Sequence, residues 1–125
     1  MKRLLVLPAL LAAACGSPSA ENAPPTGSGT GTADGPASAQ TFLVRGNDRD
    51  QFVPATIAAK VGTLDLTLQI DGVPHNLTFS DKALPSIPTL SSGAKKSTTL
   101  TFDKPGTYDF ECTIHPGMTG KVVVS

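Results

Sequence analysis

Charged side chains are scarce in this sequence, and neither sign is in surplus. They make up 16% of the 125 residues, and ten basic side chains balance ten acidic ones. A protein that binds nucleic acid needs a basic surface to neutralise the phosphate backbone. We therefore expect no nucleic-acid partner.

Long apolar runs are also missing, since no stretch reaches the roughly 20 residues of a transmembrane helix. The run at 4–14 follows Lys2 and Arg3 and ends in small residues before Cys15. This order is typical of a secretory signal, and its end resembles the lipobox of bacterial lipoproteins. We predict a signal peptide at 1–15, a lipid on Cys15, and an exported protein anchored to a membrane of the cell envelope, in the periplasm or on the outer surface. Cleavage with release of the protein is the alternative.

Cysteine is the third shortage, because the sequence contains only Cys15 and Cys112. Disulfides persist outside the cytoplasm, but a lipid on Cys15 would leave Cys112 unpaired. An unpaired thiol in an oxidising compartment is a liability unless it is buried or bound to a metal. A disulfide between the two cysteines is the alternative, although it would tie the domain to a flexible tail.

A change of composition divides the chain. Residues 16–39 are mostly Pro, Gly, Ser, Thr and Ala without an aromatic side chain. Such a segment has too little apolar surface to fold by itself, so we predict a flexible linker over 16–39. The remaining residues, 40–125, are predicted to form one domain, and we expect a monomer.

Within this domain apolar and polar residues alternate, most regularly over 64–70. A period of two indicates half-buried strands, whereas no segment keeps a helical period. The segment 80–96, with two prolines, is expected to be a surface loop with room for one helical turn. Seven short strands predict an all-β antiparallel sandwich or Greek-key barrel. These strands are expected at 41–45, 55–60, 64–70, 75–79, 97–102, 107–112 and 120–125.

Three possible metal ligands, Cys112, His115 and Met118, fall within seven residues directly after an alternating segment. The parity of that strand points Cys112 into the core. A fourth donor must come from elsewhere, and His75 is the only other histidine. Two imidazoles, a thiolate and a weak axial thioether form the donor set of blue-copper electron-transfer sites.

Other interpretations of these residues remain open. Taken singly, a free cysteine or a methionine is most often core filler, and a lone histidine is most often structural. Cys112 and His115 also permit nucleophilic catalysis, although no orienting group is evident. Zinc is a further alternative, but its closed sites rarely include a thioether. The concentration of all these residues in one possible site favours copper.

The spacing Cys112-x-x-His115-x-x-Met118 and the segment around His75 resemble the plastocyanin/azurin family of cupredoxins, and most of all its amicyanin branch. This resemblance covers residues 54–124. It implies a cupredoxin fold, one copper ion that alternates between Cu(I) and Cu(II), and His115 at the exposed edge of the site. It also implies that Asn76, after the first histidine, forms hydrogen bonds across to the ligand loop.

One departure from the amicyanin pattern is Ile114, which stands where that branch has proline. Proline has no N–H, so isoleucine restores a backbone donor. If the loop keeps the family shape, the N–H groups of Asn76 and Ile114 should both point at the sulfur of Cys112.

The function that this resemblance implies is transport of single electrons by a type 1 copper protein that is not an enzyme. Redox protein partners are expected to dock near His115. The alternative is a copper-binding lipoprotein for copper delivery or sequestration, which would use the same ligands.

Overall fold

The computed structural model describes residues 29–125. The predicted signal peptide, Cys15 and the first part of the predicted linker lie outside these residues. No helix within 29–125 is long and apolar enough to cross a membrane. The described chain forms ten strands: β1 (Thr30–Thr32), β2 (Gln40–Gly46), β3 (Phe52–Val53), β4 (Thr56–Ala59), β5 (Gly62–Ile70), β6 (His75–Phe79), β7 (Ile87–Leu90), β8 (Lys95–Phe102), β9 (Gly106–Glu111) and β10 (Thr119–Val124).

The strands form two sheets with a common hydrophobic core. One sheet has the order β1-β4-β10-β9-β6-β7, and the other has the order β3-β2-β5-β8. The predicted all-β sandwich is thus confirmed. The pairing is not antiparallel throughout, because β2 pairs with β5 and β4 pairs with β10 in parallel. Parallel pairs arise because the chain changes sheets between the two partners.

The core follows the alternation in the sequence. The four apolar residues of β5 that share one parity are 0% exposed: Leu64, Leu66, Leu68 and Ile70. Burying an aliphatic side chain of this size contributes about 1.5–3 kcal/mol. Between the sheets, Phe110 packs edge-on against Phe52 and Phe79, with ring centroids 4.9 and 5.6 Å apart.

All seven predicted strands are present with ends shifted by at most two residues. Three short strands, β1, β3 and β7, were not predicted. The prediction of a surface loop over 80–96 is wrong in part, because this segment contains β7, which pairs with β6. Short strands show too few residues for a period of two to be visible.

The predicted boundary of the flexible linker also needs correction. Residues 30–32 form β1, which pairs in parallel with β4, and the Ala33 N–H donates to the Ala58 carbonyl at 2.8 Å. Gly31 lies so close to the Phe42 ring that an added Cβ would come within 2.4 Å of it. Backbone pairing and the absence of a side chain hold this segment on the domain. Composition alone does not reveal such pairing.

Candidate metal centre

The candidate ligand loop joins β9 to β10 at one end of the sandwich. Cys112 directly follows β9, and its N–H donates to the Met118 carbonyl at 3.0 Å. The Met118 N–H in turn donates to the His115 carbonyl at 3.1 Å. Gly117 has a φ of 86°, which a residue with a side chain rarely adopts. These contacts close the loop tightly enough to bring three donor residues together.

The described structure brings the predicted ligands into one cluster. The Nδ1 atoms of His75 and His115 lie 3.1 Å apart. The sulfur of Cys112 lies 3.9 Å from Nδ1 of His75 and 3.5 Å from Nδ1 of His115. Met118 is 1% exposed in the same loop and is the fourth predicted donor.

This triangle of donor atoms has the size of a metal site. A point equidistant from its three corners lies about 2 Å from each, close to the roughly 2.0–2.1 Å nitrogen and 2.3 Å thiolate distances of a first-row ion such as zinc. The residues therefore fit one metal ion without rearrangement. A buried thioether beside two imidazoles and a thiolate favours copper.

The ring of His75 is held on the side away from the other donors. Its ring is 0% exposed, and its Nε2 lies 2.6 Å from the carbonyl oxygen of Asn47. Because a carbonyl can only accept, Nε2 carries the hydrogen and Nδ1 is left with a lone pair for the metal. Gly46 makes room for the ring, since an added Cβ would come within 2.7 Å of Cδ2 of His75.

Asn76 connects β6 to the ligand loop. Its backbone N–H donates to the sulfur of Cys112 at 3.4 Å. Its side-chain Oδ1 accepts from the N–H of Thr113 at 3.1 Å, and its Nδ2 donates to the hydroxyl of Thr113 at 2.9 Å. A further bond from Nδ2 to the hydroxyl of Thr89 at 3.1 Å reaches β7. The bonds to the loop are those that the resemblance implied for Asn76.

The expectation for Ile114 is wrong in this structure. Within residues 29–125, the sulfur of Cys112 accepts a backbone hydrogen bond from Asn76 and none from Ile114. The residue lies in the turn that begins at Thr113, and its side chain is 48% exposed. The bond between Thr113 and Asn76 anchors the start of this turn. Ile114 contributes apolar surface at this position.

Two residues of the loop between β2 and β3 reach the site and were not predicted. Asn47 contacts His75 as described, and the carboxylate of Asp50 lies 3.5 Å from Nε2 of His115. Both contacts join parts of the chain that are distant in sequence. The polar run over 47–51 is the only signal, and it is equally typical of a turn.

Fold and donor set together define a single-copper protein built on a β-sandwich. The chain belongs to the plastocyanin/azurin family of copper binding proteins, whose family model matches residues 40–125. The family resemblance and the cofactor, one copper ion, are thereby confirmed.

Two curated proteins illustrate this membership. The chain is similar to amicyanin of Paracoccus denitrificans, with 40% identity over 67 residues that cover 52% of this chain and 51% of that protein. It is similar to chloroplastic plastocyanin of Physcomitrium patens, with 34% identity over 100 residues that cover 71% of this chain and 60% of that protein. The chain therefore spans between half and two thirds of the length of these relatives.

A solved structure extends the comparison to the fold. The purple cupredoxin from Nitrosopumilus maritimus superposes with a TM-score of 0.54 at 27% identity. The match covers 66% of this chain and 98% of that one.

Proposed function

We propose that this protein is a type 1 copper protein that carries single electrons between redox partners in the cell envelope. The observation that carries this proposal is the triangle formed by His75, Cys112 and His115, with the buried Met118 in the same loop. This is the donor set of electron-transfer copper sites. Copper bound there supplies a centre that alternates between Cu(II) and Cu(I).

Rigidity of the ligands supports this role. Electron transfer is fast when the ligands move little between the two oxidation states. The ring of His75 is held by Asn47 at 2.6 Å, and the ligand loop is held by Asn76. Such outer contacts orient ligands before any metal binds. The site therefore suits a carrier and not an enzyme that must bind and convert a substrate.

The exposure of the ligands indicates which of them an electron-transfer partner can contact. The side chain of His115 is 24% exposed, whereas those of His75, Cys112 and Met118 are at most 2% exposed. A partner that covers His115 comes closest to the copper.

Apolar residues that adjoin the two histidine ligands in sequence are exposed, and the carboxylate of Asp50 lies beside His115. Val73 and Ile114 are 37% and 48% exposed, and Pro74 and Pro116 are exposed beside them. Met118 is buried and does not contribute to this surface. We propose that redox proteins dock here through the small, short-lived interfaces usual for electron transfer, below about 1,200 Å² in total.

The location belongs to the proposal and is supported by the order of residues 1–15. A lipid on Cys15 would anchor an exported domain to the membrane surface. We expect Cys15→Ser to move the protein from the membrane fraction to the soluble fraction of the cell. Wild-type protein found soluble, with a new N-terminus after residue 15, would instead show cleavage and release.

Copper delivery or sequestration is the rival function. The transfer of Cu(I) to an acceptor distinguishes it from electron transport. A carrier keeps its ion through repeated oxidation and reduction, whereas a delivery protein surrenders Cu(I) to an acceptor. We expect the copper-loaded protein to exchange electrons with a small redox reagent over many cycles while a Cu(I) chelator removes little copper. Rapid loss of Cu(I) with slow electron exchange would contradict the carrier function. The expected monomer is tested by light scattering on the same sample.

A further inference from the structure

The loop between β2 and β3 contacts the outward nitrogens of both histidine ligands. The Asn47 carbonyl lies 2.6 Å from Nε2 of His75, and Oδ1 of Asp50 lies 3.5 Å from Nε2 of His115. These nitrogens are opposite the Nδ1 atoms that face the metal position. One short loop therefore touches both imidazoles from the side away from the copper.

Internal hydrogen bonds fix the shape of this loop. Oδ1 of Asn47 accepts from the N–H groups of Arg49 and Gln51 at 2.9 and 3.0 Å. The N–H of Asn47 donates to the Gln51 carbonyl at 3.0 Å. Asp50 has a φ of 57°, in the left-handed region that aspartate and asparagine tolerate better than most residues. These features fix the backbone at Asp50, and its carboxylate lies 3.5 Å from Nε2 of His115.

The charge of Asp50 has a direct consequence for copper. Cu(II) carries one more positive charge than Cu(I), so a carboxylate beside a ligand stabilises the oxidised ion more. Within residues 29–125, the ion pairs are Arg45 with Asp71 and His115 with Asp50. No lysine or arginine of the described chain forms an ion pair with Asp50. Its side chain is 51% exposed, which moderates the effect by screening.

We propose that Asp50 is a positioning residue that tunes the copper centre through His115. Its carboxylate faces the Nε2–H of the ring, keeps Nδ1 directed at the copper, and favours Cu(II) over Cu(I). This inference deepens the proposed function but rests only on copper binding, because a delivery protein with the same ligands would show the same preference.

The test compares Asp50→Asn with Asp48→Asn in the copper-loaded protein. Both changes remove one negative charge from the same exposed loop, and asparagine tolerates the left-handed backbone at position 50. Affinities for Cu(II) and Cu(I) are measured separately by competition with chelators, and the potential is measured by voltammetry. A tenfold change in the affinity ratio corresponds to about 59 mV for a one-electron couple.

We expect Asp50→Asn to lower the ratio of Cu(II) to Cu(I) affinity about threefold to tenfold, as befits a half-exposed charge near the ion. Asp48→Asn should change it less than about twofold, and the difference should shrink at high salt because exposed charges are screened. Equal effects of the two substitutions, or no effect of Asp50→Asn, would overturn the inference. The two proposals can fail separately. If Asp50→Asn selectively loses Cu(II) affinity but the wild-type protein exchanges electrons slowly, the inference about Asp50 is supported and the carrier function is refuted.

Discussion

Gly46→Ala tests whether the space that Gly46 leaves beside the His75 ring is needed to position this ligand. The added Cβ would lie 2.7 Å from Cδ2 and 3.2 Å from Cγ of the His75 ring. Ordinary contact begins at about 3.4 Å, so the ring or β2 must move by roughly 0.7 Å, and overpacking of this kind typically costs about 1–3 kcal/mol. The ring is also held at 2.6 Å by Asn47, so part of the cost is a strained hydrogen bond.

Displacement of this ligand should weaken copper binding as well as folding. Each 1.4 kcal/mol corresponds to a factor of ten, so we expect copper affinity to fall about tenfold or more. The assay is chelator competition, with urea unfolding of the metal-free protein alongside. Gly31→Ala is the control, because its Cβ would come within 2.4 Å of the Phe42 ring, which is not part of the copper site. It should lower stability without changing copper affinity. Equal copper affinity in Gly46→Ala and wild type would refute the reasoning.

Three further predictions concern the residues around the ligands. Asn76→Ala should destabilise the metal-free protein by about 1–3 kcal/mol in urea unfolding, because the N–H of Thr113 loses its acceptor; Thr89→Val, which removes one hydroxyl contact, should cost less, and an equal loss would contradict the network. Met118→Leu should keep the visible colour while shifting the reduction potential, since an axial thioether tunes more than it binds; a colourless variant would contradict its axial role. Ile114→Pro should leave the reduction potential nearly unchanged in voltammetry, because no hydrogen bond from Ile114 to Cys112 is present. A drop near 59 mV, which corresponds to a tenfold change in the equilibrium constant of a one-electron couple, would show that this amide reaches the sulfur.

Much of the fold could be predicted because burial follows the sequence period directly. Leu64, Leu66 and Leu68 alternate with polar residues, and each is fully buried. The ligand loop could be predicted for a different reason, because its three donor residues lie within seven residues of the sequence. β1 was not predictable, because Thr30–Thr32 is held by backbone pairing in a segment with the composition of a linker.

The outer contacts of the histidines depend on topology that the sequence does not display. Asn47 and His75 are 28 residues apart, and they meet because the end of β2 lies beside the start of β6. Asp50 reaches His115 because the loop between β2 and β3 also contacts the loop between β9 and β10. For Ile114, the sequence shows a backbone N–H where proline would have none. It does not show in which direction the turn points this N–H.

The visible absorption spectrum of the Cu(II)-loaded protein tests the central claim most directly. A short bond between copper and the thiolate of Cys112 gives strong ligand-to-metal charge transfer, so we predict an intense blue colour. Cys112→Ser should remove the colour, while its metal-free form should unfold at a similar urea concentration to wild type. A colourless wild-type complex with Cu(II), or colour that survives in Cys112→Ser, would contradict a type 1 copper site formed by His75, Cys112, His115 and Met118.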